Sequence, residues 1–162
     1  MFIISRYNND KYARERKFPP CSGKEWYYTM KMRIVCYSKK KKREAFCEAI
    51  AKAQEASWDK LPLAYSFNNE RLVVFVASLP HEDLRRMVPE MTKIRSQNVA
   101  FLIDGTPEAA KEYLQAAKDA GTNVIENVKY VKCAKLSFLD KVTPAELEDA
   151  ANWINEVTKS LK

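Results

Sequence analysis

From Met32 onward, apolar segments of strand length alternate with longer segments of helical period, and few folds accept that pattern. Met32 to Ser38 (Met-Arg-Ile-Val-Cys-Tyr-Ser) is a compact apolar strand. A helix follows from about Lys42 to Ala56, with Phe46, Ala49, Ile50 and Ala53 on one stripe. A weaker strand is expected at Leu63 to Phe67. The next, Arg71 to Ala77, is the most emphatic in the chain, and its unbroken β-branched content suits a parallel strand covered on both faces. Pro80 opens a helical segment from His81 to Ile94, which Pro89 should interrupt by removing a hydrogen bond.

The fourth strand, Asn98 to Ile103, ends in Asp104-Gly105. Thr106-Pro107 supplies an N-cap with proline in the first helical turn, and the helix runs to Ala120 with Tyr113, Leu114 and Ala117 inward. Gly121 is its stop signal. Asn123 to Val131 reads as a fifth strand. Thr143-Pro144-Ala145-Glu146 combines a capping box with proline in the first turn of a last helix reaching Leu161. Leu147, Ala150, Ala151, Ile154 and Val157 form its apolar side, and Trp58 and Trp153 read as packing residues. Right-handed crossovers then leave an α/β fold: a doubly wound five-stranded parallel sheet with helices on both faces. In such a sheet the ligand crevice lies at the carboxyl ends of the strands, where the strand order reverses.

Several chemistries are excluded by residue supply. The 162-residue chain has only three glycines, Gly23, Gly105 and Gly121, which cannot build a Gly-rich phosphate loop. The four cysteines, Cys21, Cys36, Cys47 and Cys133, form no C-x-x-C pair and have a single histidine, His81, to join them. A structural zinc site is therefore not expected, and the thiols read as buried groups in a reducing compartment. No apolar run approaches the roughly 20 residues of a membrane helix. Phe2-Ile3-Ile4 is far shorter than the apolar core of about 7–15 residues in a secretory signal, so a cytoplasmic protein is expected.

The formal net charge of +7 is unevenly placed. Residues Met1 to Lys31 carry +4, Arg33 adds +1, Lys39-Lys40-Lys41-Lys42-Arg43 carry +5, and Glu44 to Lys162 carry −3. A nucleic-acid binder usually spreads its cations along a face, which this chain does not. Residues 1–31 hold Pro19-Pro20 and Ser22-Gly23 without a sustained period, and read as a flexible leader. A native start at Met30 or Met32 is one expectation; an arm that docks Trp26, Tyr27 and Tyr28 is the other.

The Lys39 to Arg43 run is the sharpest local feature. Placed at a helix N-terminus beside the switch point, it would hold a phosphoanion or an acidic partner; the alternative is a solvated loop that only aids solubility. Histidine is the residue type suited to a general base near neutrality, but no nucleophile is tied to His81 by a known spacing, and Glu82-Asp83 beside it mark an exposed helical turn. Asp104-Gly105-Thr106 either faces the crevice or is a plain turn and helix cap.

Over residues 32–162 the chain resembles the flavodoxin family. The opening Met32 to Ser38 with Glu48-Ala49-Ile50-Ala51 is similar to that family's first strand, phosphate loop and first helix. Leu72 to Ser78 with Pro80 resembles its third strand and the loop beside the flavin ring, Asn98 to Ile103 its fourth strand, and Ala151 to Val157 its closing helix. The resemblance implies strand order 2-1-3-4-5 and an FMN site in the loops after the first, third and fourth strands. Those loops hold Ser38, Lys39, Lys40, Lys41, Lys42 and Arg43, then Ser78, Leu79, Pro80 and His81, then Asp104, Gly105 and Thr106.

The departures from the family pattern matter as much. After Ser38 the expected Gly and Thr are replaced by lysines, which supply charge but no cage of hydroxyls and backbone N–H groups. The other two loops carry no Trp, Tyr or Phe to sandwich the ring. The expectation is a divergent flavodoxin-like domain with weakened or lost FMN binding, whose basic loop contacts a phosphate-bearing or acidic partner. The alternatives are an FMN-dependent electron carrier and, third, a nucleic-acid-binding protein.

Overall fold

The computed structural model describes residues 30–38, 41–60, 70–80, 84, 88, 96–132 and 141–161. Its described elements are β1 (Met32–Tyr37), α1 (Lys41–Gln54), β2 (Ser57–Lys60), β3 (Glu70–Ser78), β4 (Ser96–Asp104), α2 (Pro107–Asp119), β5 (Asn123–Val124), β6 (Lys129–Val131) and α3 (Pro144–Ser160). The sheet is parallel, in the order β2-β1-β3-β4-β5, with β6 also paired to β4. The alternation predicts a doubly wound parallel sheet, and this strand order is the one that the family resemblance implies.

The strands bury both faces because their apolar residues run without a polar break. Side chains one apart in sequence point to opposite sides, so each strand feeds two cores. Ile34, Cys36, Leu72, Val74, Val76, Ala100 and Leu102 meet Phe46 and Ile50 of α1 and Trp153, Ile154 and Val157 of α3. Val35, Tyr37, Val73, Phe75, Ala77, Val99, Phe101 and Ile103 meet Ala110, Tyr113 and Ala117 of α2 on the other face, together with Leu84 and Val88. Leu84 and Val88 are helical and buried; the rest of the expected helix from His81 to Ile94 lies outside the described residues. Phe75 sits between Tyr37 and Phe101, with ring centroids 5.5 and 5.4 Å away.

Helix ends follow local chemistry. Thr106 Oγ1 accepts from the Ala109 N–H at 3.3 Å, with proline in the first turn of α2. Thr143 and Glu146 complete a reciprocal capping box at α3. Gly121 takes φ +83° just past α2, and open space surrounds the position of a Cβ there, so backbone conformation is what calls for glycine.

Three sequence readings are corrected. The second strand is Ser57–Lys60, beside β1, whereas the segment expected to be that strand, 63–67, lies outside the described residues. An edge strand needs no apolar run, and Ser57 and Lys60 are exposed; Glu55 at φ +48° has already turned the chain out of α1. The fifth strand is two short ones, β5 and β6, separated where Val128 N–H bonds back to Glu126 O at 2.8 Å. On α1, Ala53 is exposed and Ala49 half-buried; the buried stripe is Phe46, Cys47, Ile50 and Ala51. Of the expected leader, residues 1–29 lie outside the described residues. Met30 packs on the α1/α3 core, and Lys31 O accepts from Arg71 N–H at 2.8 Å.

Truncation of the central ring tests this layering. Phe75→Ala should lower stability by about 3–5 kcal/mol in urea denaturation. A loss under about 1 kcal/mol would mean Phe75 does not pack between the two rings.

Candidate functional site at the carboxyl edge of the sheet

The register aligns three strand ends. Tyr37 pairs with Ala77, Ala77 with Ile103, and Ser78 with Asp104, so Ser38, Ser78 and Asp104 follow in one row along the carboxyl edge. The first turn of α1 delivers Arg43 onto that row. Arg43 is only 1% exposed. Its Nη1 donates to Ser38 Oγ at 3.0 Å and its Nη2 to Ser78 Oγ at 3.0 Å. Nη2 also pairs with the Asp104 carboxylate, and Ser78 Oγ donates to the same Asp104 oxygen at 3.3 Å. Arg43 Nε is buried and has no hydrogen-bond partner among the described residues.

Helical phase explains why a cation points inward. Arg43 precedes Phe46, Cys47 and Ile50 by three, four and seven positions, which is the spacing of one helix face. It therefore lies at the top of the buried stripe. Burying a guanidinium costs several kcal/mol unless a counter-charge and hydrogen bonds meet it, and here a carboxylate and two hydroxyls do.

Lys42, beside it, also points back into the fold. Its side chain is 6% exposed, and Nζ lies 3.0 Å from Glu146 Oε1 in the first turn of α3. Glu146 additionally accepts from Thr143 N–H at 2.9 Å and Thr143 Oγ1 at 3.0 Å. The Thr143 backbone bond first, and then Lys42, hold the Glu146 carboxyl below the usual carboxylate range.

Of the remaining sequence-predicted site residues, Lys39, Lys40 and His81 lie outside the described residues, as does the Lys41 side chain, while the Lys41 backbone opens α1. Leu79 and Gly105 do come together: Leu79 N–H bonds Asp104 O at 3.0 Å, and a Cβ on Gly105 would stand 3.2 Å from Leu79 Cβ. That close approach is the reason for glycine there. The Leu79–Pro80 peptide is cis, and Pro80 is exposed. Thr106 is engaged in capping α2.

Two participants were not anticipated from the sequence. One is Glu146, more than a hundred positions from Lys42. The other is Tyr130 on β6, which pairs with Ile103 near the carboxyl edge and packs on the α2 face. Burial, and then the Glu108 carboxylate, push its phenol up. Cys36 and Cys47 are buried free thiols in the β1–α1 core. Contact with Cys36, followed by burial, keeps the Cys47 thiol protonated and so unreactive. Among the described residues no cluster of three or more His, Cys, Asp or Glu is placed to hold a metal ion. No helix among them is long and apolar enough to cross a membrane.

No protein-family model matches the chain, and the search of curated proteins found no match.

The ion pair should behave as a unit. Arg43→Met and Asp104→Asn, each made alone, leave one charge without its partner and should cost about 3–5 kcal/mol. The double variant should cost less than the sum of the two by about 1–3 kcal/mol in urea denaturation. Simple additivity would show that the two charges do not depend on each other.

Proposed function

We propose that the chain is a divergent flavodoxin-like domain whose flavin site is weakened or lost, and whose basic loop after β1 receives a phosphate-bearing ligand. The observation that carries this reading is the buried Arg43 guanidinium at the switch point, held in place by Ser38, Ser78 and Asp104. A guanidinium fork flanked by hydroxyls has the donor geometry for an oxyanion. The first turn of α1 adds backbone N–H groups and the positive end of its dipole. Lys39, Lys40 and Lys41 place three more cationic residues directly before Lys42 in the chain.

The same residues do not fit FMN. Residues 78–80 and 104–106 offer no aromatic side chain for the ring to stack on. Lys42 is engaged by Glu146 and Arg43 by Asp104, and in the proposed role Lys39, Lys40 and Lys41 add long-range attraction for an incoming anion. What this arrangement performs is recognition: it binds and orients an anionic group, with long-range attraction from the lysines and directional hydrogen bonds from Arg43.

Replacing Lys39, Lys40 and Lys41 together with serine should weaken inorganic phosphate binding by at least about tenfold in equilibrium dialysis at low salt. Urea denaturation of the same variant separates a lost anion contact from lost folding. Unchanged phosphate affinity would remove the proposed role of the loop. Retention of RNA or DNA at physiological salt, with no affinity for phosphate, would favour the nucleic-acid reading instead.

A further inference from the structure

The four-residue cluster at the switch point has an asymmetry that bears on how a ligand would enter. Arg43 is 1% exposed, whereas the Asp104 side chain is 15% exposed, so the carboxylate forms the solvent side of the pair. Asp104 Oδ2 collects two donors, Arg43 Nη2 and Ser78 Oγ. Those are the donors that an incoming oxyanion would need. The carboxylate thus stands where a ligand oxygen would stand, and the chain is its own ligand. One donor of the cluster is left over. Arg43 Nε is buried without a partner among the described residues, although a buried donor left unpaired costs about 1–3 kcal/mol. A carboxylate has two oxygens to offer; a phosphate monoester has three around a tetrahedral centre.

We propose that Asp104 is a built-in competitor at the anion site, so that a phosphate group enters by displacing the Asp104 carboxylate from Arg43. This rests on the phosphate-binding reading above and adds the element that regulates the site. In the free protein Asp104 neutralises a cation that would otherwise be buried alone. On binding, the ligand takes over the Nη2 and Ser78 donors, and the carboxylate turns into water, which it already borders. Gly105, next in the chain, has no side chain to obstruct that movement. Affinity for phosphate is then the difference between two oxyanions on one guanidinium. Asp104 sets a threshold that a weak or singly contacting anion does not pass.

The test compares wild type with Asp104→Asn, using inorganic phosphate as the probe at constant ionic strength. Asn keeps the shape and removes the competing charge, so the folded variant should bind phosphate at least about tenfold tighter than wild type. Equal or weaker binding by the folded variant overturns the competitor role. A second readout needs no variant: the Arg43 Nε–H resonance of the full-length wild-type protein should shift over the same phosphate range in which binding is measured. Phosphate binding with that resonance unmoved overturns the inference but leaves the phosphate-binding function standing. Absence of phosphate binding by both wild type and Asp104→Asn removes the function and the inference together. If Asp104→Asn folds only when phosphate is added, the ligand is replacing the missing carboxylate, as the inference requires.

Discussion

A guanidinium held almost entirely out of water needs a counter-charge and hydrogen-bond acceptors within reach, and Arg43 draws them from three strand ends at once. Ser38 closes β1, Ser78 closes β3 and Asp104 closes β4. Because Arg43 itself sits in the first turn of α1, the same contacts fix where that helix begins over the sheet. Lys42 extends the constraint sideways: its pair with Glu146 joins the start of α1 to the start of α3, two helices on the same face. Buried pairs of this kind add little net stability beside an apolar replacement, yet breaking one is expensive. Their effect here is positional. They bring the starts of α1 and α3 level with the carboxyl edge.

Much of the fold was legible because parallel strands covered on both faces write themselves as unbroken apolar runs. Leu72 to Ala77 and Val99 to Ile103 are such runs, and each supplies both cores. Thr106-Pro107, Gly121 and the Thr143–Glu146 box were equally readable, since caps are local chemistry. What escaped was the sheet's periphery. Ser57–Lys60 is half solvated and pairs with β1 at the rim of the described sheet, so it carries no apolar signature; its Asp59 instead answers Arg33 across the strands at 3.4 Å, and its Lys60 pairs with Glu44 of α1. The break between β5 and β6 depends on a tight turn and on Trp153 Nε1 bonding Asn127 O at 2.8 Å, a contact from the last helix that no local pattern encodes.

The site was legible in part, and the missing part has a simple cause. Read as composition, Lys39 to Arg43 is one uniform cationic run. Read by helical phase, Arg43 belongs to the face of Phe46, Cys47 and Ile50 and has to point inward. The phase was available in the sequence; the partners were not. Ser78 lies 35 positions away and Glu146 lies 104 from Lys42. Only the parallel register brings Ser38, Ser78 and Asp104 into a row, and only the docking of α3 puts Glu146 beside Lys42. Thus the two cations that resemble a binding loop most closely are turned toward the chain's own carboxylates.

The central proposal is that the carboxyl edge receives a phosphate group but does not seat a flavin ring, for which residues 78–80 and 104–106 supply no aromatic side chain. Recording the visible absorption and the flavin fluorescence of the purified full-length protein before and after FMN addition tests it most directly. The predicted result is a spectrum equal to the sum of protein and free FMN, with unquenched flavin emission. Quenching and shifted absorption bands at micromolar FMN would contradict it, since the flavin ring would then be held at an edge whose loops offer it no aromatic partner.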